Sequence, residues 1–368
     1  MTNLLQFGVR VTRRASLPTL VLAGALNALL GCGSSASSDD SSFASGGSGG
    51  STAGTAGSIG TAGNTAGNTG TSTRSGALPA PFGSFTLNLI APVVSDDPSL
   101  DTPGFTSFAG VIRNAEVPET VVWTKALEGA GCVLYTPKIP FCSACGSTQF
   151  CVGEEQCVDP PVALNLGAIS VSGVTMGDGS SGFSVEPAAP KYNYMAPSAI
   201  AYPPAAAGTQ VSLSGDGGDY PPISLTAKAV APLELLGDNP TPIKTGQVLP
   251  VRWTAEGAAS DTRIAILVNI SHHGGARGRI LCDVEDNGSL DIPASLVTRL
   301  LELGYSGFPT VEVSRKSSAS EDLGGGSLRL EIQSTATRNL AIDGQISCRS
   351  NDECRDGKTC LATTKQCG

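Results

Sequence analysis

The sequence is short of the residues that most catalytic and metal chemistry needs. Its 368 residues include only two histidines, and aromatic side chains make up 5% of the chain. A histidine metal centre or general base could therefore draw only on His272 and His273. Basic residues are outnumbered, 23 against 32 acidic, and form no cluster that could track a phosphate backbone, so nucleic acid is not expected as a partner. No apolar run reaches the roughly 20 residues that a membrane-spanning helix needs. Long helical periodicity is missing too, which argues against an α/β fold. What is abundant is glycine and proline, 46 and 24 residues, a turn-rich profile that suits short strands.

The N-terminus has its own logic. Met1 to Arg14 carries Arg10, Arg13 and Arg14 and no acidic residue, and an apolar run from Ala15 to Leu30 follows. A basic start, an apolar stretch and a small residue before a cut describe a secretory signal spanning residues 1–31. Leu29-Leu30-Gly31-Cys32 resembles the lipobox of bacterial lipoproteins. The resemblance implies that Cys32 receives a diacylglycerol, that cleavage follows, and that the new amine is acylated, for example by palmitate. Gly33 in place of aspartate implies the outer membrane rather than retention at the inner one. Several acyl chains anchor stably where one is marginal. Removing residues 1–31 takes away three arginines and no acid, so the mature charge is −9 − 3 = −12. That acidity supports solubility.

Residues 32–78 are expected to form a lipidated tether. From Gly33 to Gly76 the chain is nearly all Gly, Ser, Thr and Ala, with Thr-Ala-Gly recurring, and such a segment cannot bury enough apolar surface to offset its ordering entropy. Its 44 residues reach roughly 35–40 Å by Gly-rich scaling. Gly46-Gly47-Ser48-Gly49-Gly50 matches the hydrolase pattern G-x-S-x-G only formally, without the strand and helix that motif requires.

The globular part reads as all-β, with two β-sandwich domains over 79–231 and 232–340. In the first, Phe85–Leu89, Val121–Trp123, Ala168–Val171, Val211–Leu213 and Ile223–Leu225 are short apolar runs between turn residues. In the second, alternation is stronger: Leu249, Val251 and Trp253; Ile264 to Ile270; Ile280, Cys282 and Val284; Val311 and Val313; Leu328 to Ile332. This predicts an immunoglobulin-like sandwich. Pro293 to Leu303 departs from it, with Leu296, Val297, Leu300 and Leu301 at helical spacing, Pro293 at the start and Gly304 at the stop.

Setting Cys32 aside leaves ten cysteines, the even number expected of five disulfides in an oxidising compartment. Cys132, Cys142, Cys145, Cys151 and Cys157 form an insert at 132–157. Cys348, Cys354, Cys360 and Cys367 form a terminal module at 341–368, too short for a core and braced by bridges instead. Of its three connectivities Cys348–Cys360 with Cys354–Cys367 is favoured. The insert holds an odd number, so one member must pair elsewhere. Cys282, inward beside Ile280 and Val284, is its natural partner, through Cys132 or Cys142. Cys142-Ser-Ala-Cys145 is neither a zinc site, which would want a second CxxC, nor a redox dithiol, which would want a helix N-terminus.

Among ligand candidates, His272 and His273 precede Gly274-Gly275, and adjacent histidines on a strand point to opposite faces. Asp283, Glu285 and Asp286 before Asn287-Gly288 look like a calcium loop. The helix–loop–helix version needs a glutamate at position 12, where this chain has Ala294. Asn287-Gly288 is also a hairpin turn signal. No cofactor is implied.

Pro140-Phe141-Cys142, Cys145-Gly146, Cys151-Val152, His272-His273-Gly274-Gly275, Ile280-Leu281-Cys282-Asp283, Gly288-Ser289-Leu290 and Gly307-Phe308-Pro309 together resemble a family of uncharacterised envelope lipoproteins of large-genome Gram-negative predatory bacteria. The likeness covers roughly residues 83–335, with the terminal module as an add-on, and implies a cell-envelope location without any activity. The expectation is a non-enzymatic interaction or adhesion module, held to the membrane by lipid and meeting a protein or glycan. A hydrolase acting on extracellular polymer and a calcium-stabilised module are the alternatives.

Overall fold

A computed structural model describes residues 80–93, 101–187, 189–256 and 262–368. The expected signal at 1–31, Cys32 and the expected tether at 32–78 lie outside these residues. The strands begin with β1 (Phe82–Ile90), β2 (Phe105–Arg113), β3 (Val122–Gly129) and β4 (Cys132–Lys138). Next come β5 (Phe150–Gly153), β6 (Gln156–Val158), β7 (Ile169–Thr175), β8 (Ser181–Val185) and β9 (Tyr194–Met195). They are followed by β10 (Gln210–Gly215), β11 (Ile223–Lys228), β12 (Leu235–Leu236), β13 (Thr241–Ile243) and β14 (Leu249–Trp253). After β15 (Arg263–Asn269), β16 (Arg279–Glu285) and β17 (Ser289–Ile292) comes the helix α1 (Ala294–Glu302). Two long strands, β18 (Thr310–Leu323) and β19 (Gly326–Ile342), precede the terminal hairpin of β20 (Cys360–Leu361) and β21 (Gln366–Cys367).

Among the described residues the chain is all-β apart from a 3-10 turn at Asn351–Glu353 and one short α-helix, which forms where the spacing of Leu296, Val297 and Leu300 predicts it. Pro293 fixes the approach at φ −56°, those three side chains are buried, and Gly304 at φ +78° lets the backbone turn away.

The hairpin of β18 and β19 organises everything else. Along β19 the even-numbered Leu328, Leu330, Ile332, Ser334 and Ala336 are all buried, as is Leu340, so one face of a 17-residue strand points inward throughout. Its first half, with Leu323 of β18, enters a core shared with β1, β2, β7, β10 and β11. Its second half, with Val311 and Val313, enters another core shared with β4, β14, β15, β16 and α1. Two cores therefore sit side by side on the same face of one ten-stranded sheet, ordered β3-β4-β16-β15-β18-β19-β1-β2-β9 with β13 also on β19.

Each core is closed by a smaller sheet, β11-β10-β7-β8 over the first and β12-β14-β17 over the second. In the second sandwich β12, β14 and β17 face β16, β15, β18 and β19, with β13 parallel to β19. Among the described residues this is an immunoglobulin-type strand order without one edge strand, and the helix crosses between β17 and β18.

The division at 231/232 thus needs correction. It separates the small sheets but not the large one, because β1 pairs in parallel with β19 over nine residues and β4 pairs with β16. Sequence-local alternation shows which strands exist, but not that strands from both segments share a ladder. Cys132 is likewise not part of the insert. It lies in β4 directly opposite Cys282 and is bonded to it. The insert proper is the β5–β6 knuckle, held by Cys142–Cys151 and Cys145–Cys157. In the terminal module Cys348 pairs with Cys360 and Cys354 with Cys367.

Candidate outer-face binding site

Because both small sheets cover the same side, the opposite side of the ten-stranded sheet has no second sheet over it among the described residues. Its side chains are the alternate set: Ser327, Arg329, Glu331 and Gln333 on β19, and Ser84 and Thr86 on β1. Register carries this face across the sheet. Lys125, Tyr135, Arg279, Asn269, Thr310 and Asn339 stand directly opposite one another across six strands. The connection 114–121 joins β2, the strand beside β9 near one edge, to β3 at the other edge, and its Ala115, Glu116 and Val117 line the groove on this face.

Over β19, β1 and β2 the face holds a groove of about 550 Å³. Ser84, Thr86, Ala109 and Ser327 are small enough to leave its floor open, while Arg113, Arg329 and Glu116 bring charge to its lining. At the other end of the face Arg279 lies 4.0 Å above the Trp123 ring and 6.0 Å from that of Tyr135. Both rings are half-buried on adjacent strands, and their faces attract the cation. Its Nε is buried without a hydrogen-bond partner. Burial pushes the Arg279 guanidinium below its ordinary value, opposed by Glu119 and Tyr135. Glu119 belongs to the crossing connection, so the two features are joined by one stretch of chain.

The sequence candidates fall elsewhere. His272 and His273 lie in the β15–β16 turn with their rings 4.0 Å apart, and His273 has φ +60°. The turn brings together imidazoles that a strand would have separated. Partial burial, together with the neighbouring His273, holds the His272 imidazole below the ordinary histidine value. This turn packs on the loop before β18. The Phe308 N–H donates to the His272 carbonyl at 2.8 Å, and the Ser306 hydroxyl to the Gly274 carbonyl at 2.6 Å. The terminal module docks on the same loop, with the Gly307 N–H donating to the Thr364 carbonyl and Gln366 Nε2 to the Gly307 carbonyl. Two of the segments that carry the lipoprotein resemblance are therefore neighbours, and the module is packed rather than merely appended.

Three of the carboxylates around the suggested calcium loop are engaged by arginines that the local sequence does not show. Asp283 is held by Arg263 at 2.8 Å and Asp291 by Arg252 at 2.6 Å. Asp286 is turned inward onto Arg315 Nε at 2.6 Å and the Trp253 indole N–H at 2.7 Å. Glu285 is exposed at the far end of β16 from the histidine turn, so His272, His273, Asp283 and Glu285 do not converge. Among the described residues the only close groups of potential metal ligands are cysteines already in disulfides. The Cys142 and Cys145 sulfurs bond outward to Cys151 and Cys157 and not to each other.

Sequence reasoning missed both the groove and the Trp123–Arg279 stack. The signal for the stack lay in register, since Trp123 and Arg279 are 156 positions apart (279 − 123) and meet only because β4 lies between their strands. No family model matches the chain, and no curated protein matches it in sequence.

Proposed function

We propose that this chain is a lipid-anchored, non-enzymatic binding module of the cell envelope, held to the outer membrane through Cys32, with a glycan or protein ligand on its outer face. The observation that carries this reading is the groove of about 550 Å³ on a sheet face that no second sheet covers among the described residues. Ligand sites are concave, with a few placed polar groups, and this one has a small-residue floor and guanidinium groups in its lining. Elsewhere the same small residues would be costly, because large side chains on an exposed strand surface add cross-strand packing that serine and alanine forgo. The five disulfides support an oxidising destination, and the basic-apolar-Cys32 start supports the anchor.

The test is a glycan array probed with the full chain in detergent, beside two variants. Ser84→Trp fills the groove floor at an exposed position without touching either core. His272→Ala with His273→Ala removes the imidazoles and leaves the groove intact. Binding that is lost in the first and kept in the second supports the reading. Binding that follows the histidines instead would move the site to the β15–β16 turn.

A further inference from the structure

Resting on that binding-module reading, we propose that the groove takes a carboxylated polysaccharide, a chain of acidic sugars, through Arg113 and Arg329. The strands beneath it decide against a peptide. β1 and β19 are interior, paired on both sides, so their ladder groups are already used and strand addition has no edge to join. What the floor offers is hydroxyls from Ser84, Thr86 and Ser327, which suit a hydroxyl-rich backbone. Register sets the two cations diagonally: Arg113 is opposite Phe82, and Arg329 is opposite Ser84 two residues further on. Sheet spacings put their Cα atoms about 12 Å apart. Cations so separated call for repeated rather than single negative charge.

Neither guanidinium is engaged by an ion pair among the described residues, whereas Arg252, Arg263, Arg299 and Arg315 each hold a carboxylate. A free planar fork is the group best matched to a carboxylate. Glu116 brings the lining to two positive charges against one negative. A lining with one net positive charge and two guanidinium forks about 12 Å apart suits a polymer that carries one carboxylate per sugar.

Calorimetric titration of the full chain in detergent with polygalacturonate tests this, beside its methyl-esterified form and phosphatidylglycerol vesicles. Polygalacturonate should bind. Esterification and Arg113→Gln with Arg329→Gln should each weaken binding about tenfold or more, with Arg277→Gln unchanged. Arg329→Gln alone, at an exposed position, serves if the double variant fails to fold. Equal binding of the esterified polymer, unaltered binding by the arginine variants, or binding to vesicles alone would each overturn the proposal. Groove-dependent binding on the array to a neutral glycan would overturn it too, while leaving the binding-module reading standing.

Discussion

Between the two cores the inward face of the hairpin turns polar, and Arg315 shows what that costs and what it secures. Its guanidinium is 1% exposed. It donates to Asp286 at 2.6 Å, to the Ala231 carbonyl at 3.0 Å and to the Thr254 carbonyl, with Glu256 3.4 Å away. Ala231 is the last residue of the segment that closes the first core, so one side chain ties the chain joint to both sandwiches. Arg315→Met keeps length and burial but leaves the Asp286 carboxylate buried with the Trp253 indole as its main donor. Breaking a buried pair from one side costs about 3–5 kcal/mol, a fall of roughly 6–10 °C in melting temperature for a chain of this size.

The pH dependence should change sign. Burial alone would raise Asp286, but hydrogen bonds from Arg315 and Trp253 outweigh it and hold the carboxyl below its ordinary value. In the native chain its contribution is therefore present above the unfolded value, about 3.9, and is lost as pH falls through the depressed folded one. Without Arg315 burial dominates and the folded value rises, so the penalty is full at pH 7 and shrinks as pH drops toward 4.5. Urea unfolding of both proteins at pH 7 and pH 4.5, disulfides intact, reads this directly. Arg315→Met with Asp286→Asn should recover part of the loss. A deficit under about 1 kcal/mol at pH 7, or one equal at the two pH values, would refute the reasoning.

Three further outcomes follow from other parts of the chain. Cys32→Ser should abolish metabolic palmitate labelling and move the protein to the soluble fraction; a variant that still labels contradicts the anchor. Cys132→Ala with Cys282→Ala opens a loop of sequence separation 150 and should cost about 5 kcal/mol on the chain-entropy account, seen as a lower urea midpoint. Gly307 has φ +64°, and a Cβ there would stand 2.0 Å from the His272 carbonyl oxygen. Gly307→Ala should therefore cost more than about 1 kcal/mol and loosen the terminal module, read as faster proteolysis between 343 and 347.

What the sequence made legible was local. Alternation at 264–270, 280–284 and 328–332 becomes β15, β16 and β19, and Pro293 to Leu303 becomes the helix, because side-chain period and turn residues act over a few positions. Cysteine parity pointed Cys282 at the insert region, since an odd cluster leaves one sulfur over. The parallel pairing of β1 with β19 had no local signal. Nor did the burial of Arg315, an inward slot of a strand whose charge reads as surface until Asp286 is seen beneath it. The acidic run at 283–286 misled for the same reason: its neutralising arginines lie 20 to 29 positions away. The groove was hardest to see, because serine, threonine and alanine at alternate positions look like any solvent face.

A photo-crosslinking side chain placed at Thr86, on the groove floor, tests the outer-face site most directly in intact cells. Thr226, exposed on the far side of the first sandwich, is the comparison. Covalent capture of a partner from Thr86, absent from Thr226 and suppressed by Ser84→Trp, is the expected result. Capture from Thr226 alone, or none from Thr86, would contradict it.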